Sequence, residues 1–499
     1  MDLMYSSTRN AAKRVTASQA ILKGLAEDGG LFVPERIPGL DIPLESLAGM
    51  SYQETAYAVL RLFLTDYTEE ELRDCISRAY DDKFDTEEIV PFHRAGNTCY
   101  MELFHGATIA FKDMALSILP YLMTTAARKN HETHEIVILT ATSGDTGKAA
   151  LAGFADVPGT KIIVFYPKNG VSPIQEKQMI TQKGDNVCVI GIHGNFDDAQ
   201  TGVKRLFADK KLEEELQKEG FCFSSANSIN IGRLVPQIVY YVYAYGRLLK
   251  ENRIKVGDPM NVAVPTGNFG NILAAFYAKK MGIPIGKLIC ASNENKVLYD
   301  FFETGVYDRN REFVLTSSPS MDILISSNLE RLIYHAAGGD AEKNAALMQE
   351  LSASGRYTVT ETMRDAMRDF SGGYATEAQT FAEIRRVYDT YGYVLDTHTA
   401  VASSVCHLGF EQVFPDAPVV IASTASPYKF ARSVMTAIDE KYREMEDFAL
   451  IGELHKISGT PVPRAIEEIR NAPILHDTVI EKEEMEKAVK LFLRKENRQ

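Results

Sequence analysis

Short apolar segments alternate with longer amphipathic segments through the middle of this 499-residue sequence, and this alternation restricts the possible folds more than any other feature. The apolar segments have the length of β-strands and comprise residues 135–141, 161–166, 186–192, 221–225, 261–265 and 287–292. Most of them are followed by a turn and a segment with helical periodicity. Parallel strands need such helical crossovers, which are right-handed in nearly all known folds. The sequence therefore predicts an α/β fold with parallel sheets.

Helices are predicted on both sides of this region. The first 95 residues favour helix, and Thr68 and Glu71 have the spacing of a capping box. Residues 27–34 contain two glycines and a proline and are predicted to form a turn and a strand. The other predicted elements are a helix over 51–64, a helix interrupted at Pro120, one charged helix over 197–218, helices through 342–389 with a break at 371–373, a buried strand at 419–423 and an amphipathic surface helix from Glu481.

Charge and cysteine content argue against several classes of function. There are 54 basic and 67 acidic residues, a net charge of -13, and no basic block that could follow a nucleic-acid backbone. A small anionic substrate remains possible, because a few N–H groups and one arginine can bind an anion locally. The six cysteines are scattered, without zinc-site spacing, which predicts reduced thiols and no metal. The N-terminus lacks a signal-peptide pattern and no segment is apolar enough to span a membrane, so a cytoplasmic location is predicted.

One lysine ends an apolar segment. Lys112 follows Ile109, Ala110 and Phe111 and precedes Asp113. Partial burial there would favour the neutral amine, the form that can condense with an aldehyde. The simpler interpretation is a lysine that opens a surface helix. This segment alone does not decide between the two.

A predicted strand leads into Pro265-Thr-Gly-Asn-Phe-Gly-Asn271 and then into an alanine-rich helix. Backbone N–H groups converge at such a helix N-terminus, where the helix dipole adds about half a positive charge. The turn could therefore hold a phosphate without a basic side chain. Alternatively, it is an ordinary strand-to-helix turn that needs glycine for its backbone angles.

The turn Thr142-Ser-Gly-Asp-Thr-Gly147 has the same strand–turn–helix setting and three hydroxyl groups, which could donate to a carboxylate. A nucleotide P-loop is excluded by spacing, because Gly144 and Gly147 are too close and Ala149 replaces the hydroxyl residue that would bind magnesium. A helix N-cap formed by Ser143 or Asp145 is the alternative.

A third hydroxyl-rich loop, Ala422-Ser-Thr-Ala-Ser-Pro427, leaves the predicted strand at 419–423. A neutral hydroxyl beside a heteroaromatic ring nitrogen leaves that nitrogen unprotonated, whereas a carboxylate would keep a proton on it. Taken alone, such a loop is more often a simple capped loop.

Taken together, these segments resemble the threonine synthase family of pyridoxal-phosphate enzymes, which has the fold-type II (tryptophan synthase β-like) architecture. The resemblance spans nearly the whole chain, and several independent motifs occur in family order. Ala107 stands where the family usually has proline. The matching motifs are Leu103-Phe-His-Gly-Ala-Thr-Ile-Ala-Phe-Lys-Asp113, Thr140-Ala-Thr-Ser-Gly-Asp-Thr-Gly147, Asn227-Ser-Ile-Asn-Ile-Gly-Arg233, Val264-Pro-Thr-Gly-Asn-Phe-Gly-Asn-Ile-Leu273, Asp396-Thr-His-Thr-Ala400 and Ser423-Thr-Ala-Ser-Pro427.

The resemblance implies a role for each matching position. Lys112 would bind pyridoxal 5'-phosphate covalently and later move protons, and Thr424 would face the pyridine nitrogen. The cofactor phosphate would be held by Gly267, Asn268, Phe269, Gly270 and Asn271. The substrate would be bound by Thr142, Ser143 and Thr146, and its phosphate by Asn227, Ser228 and Arg233. The roles of His105, Asp113 and Asp145 stay open.

The resemblance also implies a domain division. Residues 1–95 would form an N-terminal, mainly helical domain found in the fungal and enterobacterial-type branch. A large cofactor-binding domain would comprise residues 96–125 and 255–499, and residues 126–254 would form a small α/β domain. Two domains would thus contain parallel sheets.

The implied reaction converts O-phospho-L-homoserine and water to L-threonine and phosphate, the last step of threonine biosynthesis. Two alternatives remain: a phospholyase of the same superfamily that releases a 2-oxo acid and ammonia, and a non-catalytic relative that binds small anions. Product analysis distinguishes the implied reaction from that of the phospholyase, and the absorbance of a lysine-bound cofactor would exclude the non-catalytic relative. The sequence leaves open whether the chain is a monomer or a homodimer.

Overall fold

The computed structural model describes residues 2–142, 144–410 and 417–495. Its N-terminal part contains three short strands and three helices: β1 (Tyr5–Ser7), β2 (Arg14–Val15), α1 (Ala17–Lys23), β3 (Phe32–Pro34), α2 (Tyr52–Phe63) and α3 (Glu69–Ala79). The strands form a small antiparallel sheet in the order β2-β1-β3. The predicted strand near Pro34 and the capping box of Thr68 and Glu71 are both confirmed.

The next segment leads to Lys112. It comprises β4 (Phe92–Ala95), β5 (Thr98–Glu102), α4 (Asp113–Leu116) and α5 (Leu119–Lys129). Pro120 lies in the first turn of α5, where its missing N–H costs no helical hydrogen bond. The predicted interruption of the helix is therefore confirmed, and it falls between α4 and α5.

Residues 135–250 follow the predicted alternation. The elements are β6 (Glu135–Ala141), α6 (Asp145–Phe154), β7 (Thr160–Pro167), α7 (Pro173–Ile180), β8 (Val187–His193), α8 (Phe196–Ala208), α9 (Lys210–Lys218), β9 (Phe221–Ser224) and α10 (Ile231–Lys250). The prediction of one helix over 197–218 is wrong. Asp209 ends α8 and its side chain caps α9 by accepting from the N–H groups of Lys211 and Leu212.

The second α/β region is longer and more irregular. Its elements are β10 (Met260–Pro265), α11 (Gly270–Lys280), β11 (Ile285–Ser292), α12 (Val297–Thr304), β12 (Val306–Asp308), α13 (Leu329–Ala336), α14 (Ala341–Ser354), β13 (Arg356–Thr358), α15 (Glu361–Ala366), β14 (Phe370–Tyr374) and α16 (Glu377–Tyr391). The predicted break at 371–373 is in fact the strand β14.

The C-terminal part completes both large sheets. It contains α17 (Thr397–Gly409), β15 (Val419–Ser423), α18 (Ala431–Ile438), α19 (Asp447–Ser458), α20 (Arg464–Arg470), β16 (Val479–Glu481) and α21 (Met485–Lys495). The predicted strand at 419–423 is confirmed. No helix among the described residues is long and apolar enough to cross a membrane.

Two sheets organise these elements. The larger has six strands in the order β14-β11-β10-β15-β5-β4, parallel except for the β4–β5 pair. The smaller has five parallel strands in the order β16-β8-β7-β6-β9. Helices cover these sheets, as the burial of nearly every residue in β7, β10 and β15 requires.

The end of the chain lies with the smaller sheet. Strand β16 pairs with β8, and Met485, Val489 and Leu493 of α21 are buried in the same apolar core as β6 and β7. A helix with this apolar stripe needs a partner surface, and the smaller sheet provides it. The domain division stays a prediction; it placed residues 255–499 in the large cofactor-binding domain, whereas β16 and α21 pack with the smaller sheet.

Candidate active site

Three loops meet where adjacent strands of the larger sheet end. The loop after β5 carries Lys112, the loop after β15 carries Thr424, and the loop after β10 contains residues 266–269; β15 lies between the other two strands. The Phe111 N–H donates to the Thr424 carbonyl at 2.8 Å, so the first two loops are joined directly. In parallel sheets, ligands bind at this carboxyl edge of the strands.

Lys112 lies at the centre of this edge, immediately before α4. Its side chain is 11% exposed, and its Nζ lies 3.3 Å from Ser320 Oγ and 3.4 Å from Asp145 Oδ2. Burial lowers the pKa of Lys112, and the positive charges of Lys429 and Arg233 lower it further, against the opposing effect of Asp145. Burial and the neighbouring cations therefore make Lys112 easier to deprotonate than an exposed lysine, in the direction that the sequence predicted.

Asp145, at the start of α6, accepts hydrogen bonds through both carboxylate oxygens. Oδ2 accepts from Ser320 at 2.8 Å and faces Lys112, whereas Oδ1 accepts from Gln175 at 2.9 Å and lies 3.0 Å from Lys429 Nζ. Burial would raise the pKa of Asp145, but the charges of Lys429 and Lys112 outweigh it and hold the pKa well below its ordinary value. Asp145 is thus an ionised carboxylate between two lysines.

The turn before α6 is closed by Thr142 and not by Asp145. The Thr142 hydroxyl accepts from the N–H groups of Gly144 and Gly147, both at 2.9 Å, so its own proton is left for another acceptor. Thr146 lies in the first turn of α6 and is partly buried. Ser143 lies outside the described residues. The proposed contacts of these three residues with substrate stay a prediction.

The loop after β10 has the geometry of an anion site. Phe269 adopts a left-handed conformation, with φ of 66°, and α11 begins directly after it without a side-chain cap. The N–H groups of its first turn therefore point to the open end of the helix. Asn271 Oδ1 accepts from Tyr240 at 2.7 Å and from Tyr241, while its buried Nδ2 has no partner among the described residues.

Ser320 links this loop to Lys112. A Cβ atom on Gly267 would lie 2.4 Å from the Ser320 carbonyl oxygen, so only glycine permits this approach. On its other side, Ser320 contacts Lys112 through its hydroxyl. His398 Nε2 accepts from the Ser320 N–H at 3.2 Å and fixes its position. Lys112 and the anion loop are therefore separated by a single residue.

Arg233, at the start of α10, is the centre of a second candidate anion site. It is buried, its Nη1 donates to the Ala226 carbonyl at 3.0 Å, and its Nε has no partner among the described residues. Burial lowers the pKa of Arg233 to about 10. Asn227 and Ser228 lie in the preceding loop and are partly buried. Unpartnered donors beside a buried cation suit an anionic ligand.

One asparagine connects the two anion sites. Asn328 Nδ2 donates to the Ser228 carbonyl at 3.2 Å and to the Asn268 carbonyl at 3.1 Å. The structure thus brings together Lys112, Thr424, the 267–271 loop and the 227–233 loop. Their spatial proximity is observed, whereas the individual roles predicted for these residues remain proposals.

The residues fit pyridoxal phosphate. The cofactor needs an amine for its aldehyde, donors for its phosphate and a polar group at its ring nitrogen. Lys112 supplies the amine. The open N-terminus of α11 and the unpartnered Asn271 amide supply the donors for the phosphate, and the buried Thr424 supplies the polar group for the ring nitrogen. Lys429 and Arg233 are two cations against the one carboxylate of Asp145, so the site can also accept phosphate charge.

The two groups that flank Lys112 in sequence are occupied by other contacts. Asp113 accepts from the Thr108 hydroxyl at 2.6 Å and from its N–H at 2.8 Å. His105 contacts Asp85 at 3.0 Å and Glu102 at 2.8 Å. These contacts give both residues an orienting role in the loop.

Sequence reasoning missed Ser320, Gln175 and Lys429. Ser320 and Gln175 come from polar segments with no visible pattern, and only the fold brings them to Asp145. Lys429 could have been predicted from sequence, because it stands between Tyr428 and Phe430 directly after the hydroxyl-rich loop. A lysine among apolar residues, as at Lys112, was the feature to look for.

Comparison with known proteins agrees with this geometry. Residues 95–425 match the family model described as "Pyridoxal-phosphate dependent enzyme", and residues 4–80 match "Threonine synthase N terminus". Threonine synthase of Saccharomyces cerevisiae is 36% identical over 490 residues, which cover 91% of this chain and 93% of that protein. The chain belongs to the threonine synthase family. Residues 95–425 thus belong to the pyridoxal-phosphate-dependent enzyme family, as the sequence predicted.

Solved structures of the threonine synthase family share the whole fold. The crystal structure of PLP-bound threonine synthase from Brucella melitensis has a TM-score of 0.87 and 36% identity, with 100% of both chains covered. The structure of yeast threonine synthase has a TM-score of 0.88 and 32% identity, with 99% of both chains covered. The predicted fold-type II architecture with two parallel-sheet regions is confirmed.

The family also includes longer relatives. Threonine synthase-like 1 of Homo sapiens is 42% identical over 437 residues, which cover 85% of this chain but 58% of that protein. The chain thus spans less than two thirds of that relative's length.

Proposed function

We propose that this chain converts O-phospho-L-homoserine and water to L-threonine and phosphate. The observation that carries the proposal is one buried amine, Lys112, with two separate anion sites beside it. One phosphate belongs to the cofactor, so the second site, at Arg233, suits a substrate that carries a phosphate of its own. The threonine synthases among its relatives support the same reaction.

The proposed binding roles follow from the contacts available. The 267–271 loop would hold the cofactor phosphate at the N-terminus of α11, and Thr424 would face its ring nitrogen. Arg233 would bind the substrate phosphate together with Asn227 and Ser228. Thr142, Ser143 and Thr146 would bind the substrate, the first two mainly at its carboxylate.

The chemistry requires proton transfers at three carbons. The leaving phosphate is on Cγ, so protons must leave Cα and Cβ before the Cγ–O bond breaks. One proton must then be added at Cγ, and another at Cα after water has added at Cβ. Bound pyridoxal phosphate supplies the electron sink that makes these carbons acidic. Lys112 Nζ, whose pKa is lowered by burial, would in its neutral form remove the Cα proton and return protons later in the reaction.

The remaining residues control charge and water. Arg233 would stabilise the phosphate as its negative charge grows, and the expelled phosphate could then act as the base that activates water for addition at Cβ. A closed and dry site protects the reactive species, so we expect the two sheet regions to approach each other over bound substrate. The scattered positions of the six cysteines suit a reducing compartment, and we propose the cytoplasm.

The direct test is incubation of the purified, cofactor-loaded protein with O-phospho-L-homoserine in water enriched in oxygen-18. We expect phosphate and threonine in equal amounts, with the label in threonine and none in phosphate, because the Cγ–O bond breaks and water adds at Cβ. The variant Lys112→Ala is the control and should form neither product.

Other products would contradict the proposal. A 2-oxo acid with ammonia would identify a phospholyase. Homoserine with labelled phosphate would indicate simple hydrolysis of the ester. No turnover, with a small anion bound at Arg233, would indicate a binding protein.

A further inference from the structure

A second lysine is completely buried beside Lys112. Lys429 lies in the short 3₁₀ turn Pro427–Phe430, and its side chain has no exposed surface. Its Nζ lies 3.0 Å from Asp145 Oδ1 and donates to the Thr108 carbonyl at 2.9 Å. One ammonium group therefore joins the loop after β15, the loop before Lys112 and the start of α6. None of the steps described above uses it.

Lys429 and Lys112 share Asp145 without competing for the same atom. Lys112 and Ser320 face Oδ2, whereas Lys429 and Gln175 face Oδ1. A buried carboxylate is stable only when its charge is compensated. If Lys112 were the single cation present, ionised Asp145 would hold Lys112 in its charged, unreactive form.

We propose that Lys429 is a positioning residue, the counter-cation of Asp145, and that it promotes loss of the proton from the Lys112 amine so that the amine can react. Both acceptors of Lys429 are held in place, the Thr108 carbonyl in the loop before Lys112 and Asp145 by Gln175 and Ser320. Its charge neutralises Asp145 whatever the state of Lys112, and it also repels a proton on Lys112. The inference rests on the proposed function through the reactive role given to Lys112.

The other charged groups nearby have partners of their own. Lys148 donates to Gln182, Asp113 accepts from Thr108, and His398 lies between Asp396 and Ser320. Arg233 adds a positive charge that acts on Lys112 in the same direction as Lys429. Among the described residues, Lys112 and Lys429 are therefore the two cations in contact with Asp145.

The test measures the pKa of the Lys112 amine in the full-length chain after removal of the cofactor. Reductive methylation with formaldehyde is followed from pH 6 to 10, and the extent of labelling at Lys112 is quantified by peptide mass spectrometry. We expect Lys429→Met and Lys429→Gln to raise this pKa by about one unit, which slows labelling near neutral pH about tenfold. Because Lys429→Arg keeps the cation, the pKa of Lys112 in this variant should stay closer to the wild-type value.

A matched control comes from the same region. Lys148 lies three residues after Asp145 and is partly buried, but it donates to Gln182. Lys148→Met should leave the labelling rate of Lys112 within about twofold of the wild type, because it removes no contact to Asp145. An equal effect of Lys148→Met and Lys429→Met would overturn the proposal.

If Lys429→Met does not fold, the pKa of Lys112 in Asp145→Asn provides a second measurement. Without the shared carboxylate, the pKa of Lys112 should fall, and an unchanged pKa would contradict the proposal. An unchanged Lys112 pKa in folded Lys429→Met and Lys429→Gln would do the same. The measurement involves no substrate, so its outcome is independent of whether the chain makes threonine.

Discussion

At the scale of single residues, Arg233 shows most directly that the site is built for a ligand. Its guanidinium is buried without an ion-pair partner among the described residues, and its Nε makes no hydrogen bond there. A buried cation without a counter-charge destabilises the folded protein. Binding of a phosphate would supply both the missing charge and the missing acceptor.

Removal of Arg233 should therefore affect binding more than the catalytic rate. We expect Arg233→Ala to raise KM for O-phospho-L-homoserine by the equivalent of about 1.5–3 kcal/mol, the contribution of a charge-assisted hydrogen bond. Steady-state kinetics measures this change. Arg247→Ala is a matched control on the same helix, because Arg247 pairs with Glu88 and Glu251. An unchanged KM in Arg233→Ala would mean that the substrate phosphate is held elsewhere.

Site residues that lie within a recognisable local sequence pattern were predictable, whereas those that tertiary packing brings to the site were not. Lys112, Thr424 and the 267–271 loop each lie next to a recognisable strand or turn. Ser320 comes from a polar segment far along the chain, and it enters the site because Glu377, Thr397 and His398 hold that segment in place. No pattern of residues around Ser320 carries that information.

At the scale of secondary-structure elements, β14 is one of three large-sheet strands, with β4 and β5, that were not predicted from sequence. Its sequence, Phe370–Tyr374, contains two adjacent glycines, which are unfavourable in strands. The glycines are needed because other elements pack tightly against this edge. A Cβ atom on Gly373 would lie 2.3 Å from Val405 Cγ1 of α17. Tertiary packing thus overrides local preference at this strand.

This packing predicts a specific steric effect. Gly373→Ala should lower the free energy of unfolding by about 1–3 kcal/mol, because the new methyl group displaces α17. Val405→Ala in the same chain should restore part of the loss. Urea denaturation measures both. Gly452→Ala, in α19 with open space around it, should be neutral or slightly stabilising. Equal losses at both glycines would contradict the steric explanation.

The loop before Lys112 is joined to the preceding segment by His105. Burial would lower the pKa of His105, but its hydrogen bonds to Asp85 and Glu102 outweigh burial and raise the pKa to about 9. The folded state therefore binds this proton more tightly than the unfolded state, whose pKa is near 6.5. The resulting stabilisation is complete below the lower value and is lost as pH rises through the higher one.

The pH dependence of stability tests this contact. Between pH 6.5 and 9.5, the unfolding free energy of the wild type should fall by about 1–3 kcal/mol more than that of His105→Gln. Comparison of the two proteins cancels the other titrating groups. Parallel stability curves for the two proteins would show that His105 is not held as an imidazolium.

At the scale of the whole molecule, the N-terminal region is connected to the second anion site by Arg331. This arginine is fully buried. It donates to the Phe32 carbonyl at 3.0 Å, to the Ile229 carbonyl at 2.6 Å and to Asn328 Oδ1. Ile229 belongs to the 227–233 loop, and Asn328 contacts both anion loops. The N-terminal region therefore supports the loop that we propose binds the substrate phosphate.

Variants of two arginines distinguish support of the 227–233 loop by the N-terminal region from simple attachment of that region to the rest of the protein. Arg9 pairs with Glu330 and touches neither anion loop. Arg9→Met should lower the free energy of unfolding by about 1 kcal/mol and leave KM unchanged. Arg331→Met should lower it by about 2–3 kcal/mol and raise KM about tenfold. Denaturation and steady-state kinetics measure these effects, and equal KM values in the two variants would contradict the coupling.

The central claim is that Lys112, and neither of the buried lysines near it, is the amine that binds the cofactor. Borohydride reduction of the cofactor-loaded chain, followed by peptide mass spectrometry, locates the attachment directly. We predict one pyridoxyl-phosphate group, attached to Lys112 and absent from Lys112→Ala. Attachment to Lys429 or Lys148, with Lys112 unmodified, would contradict the account.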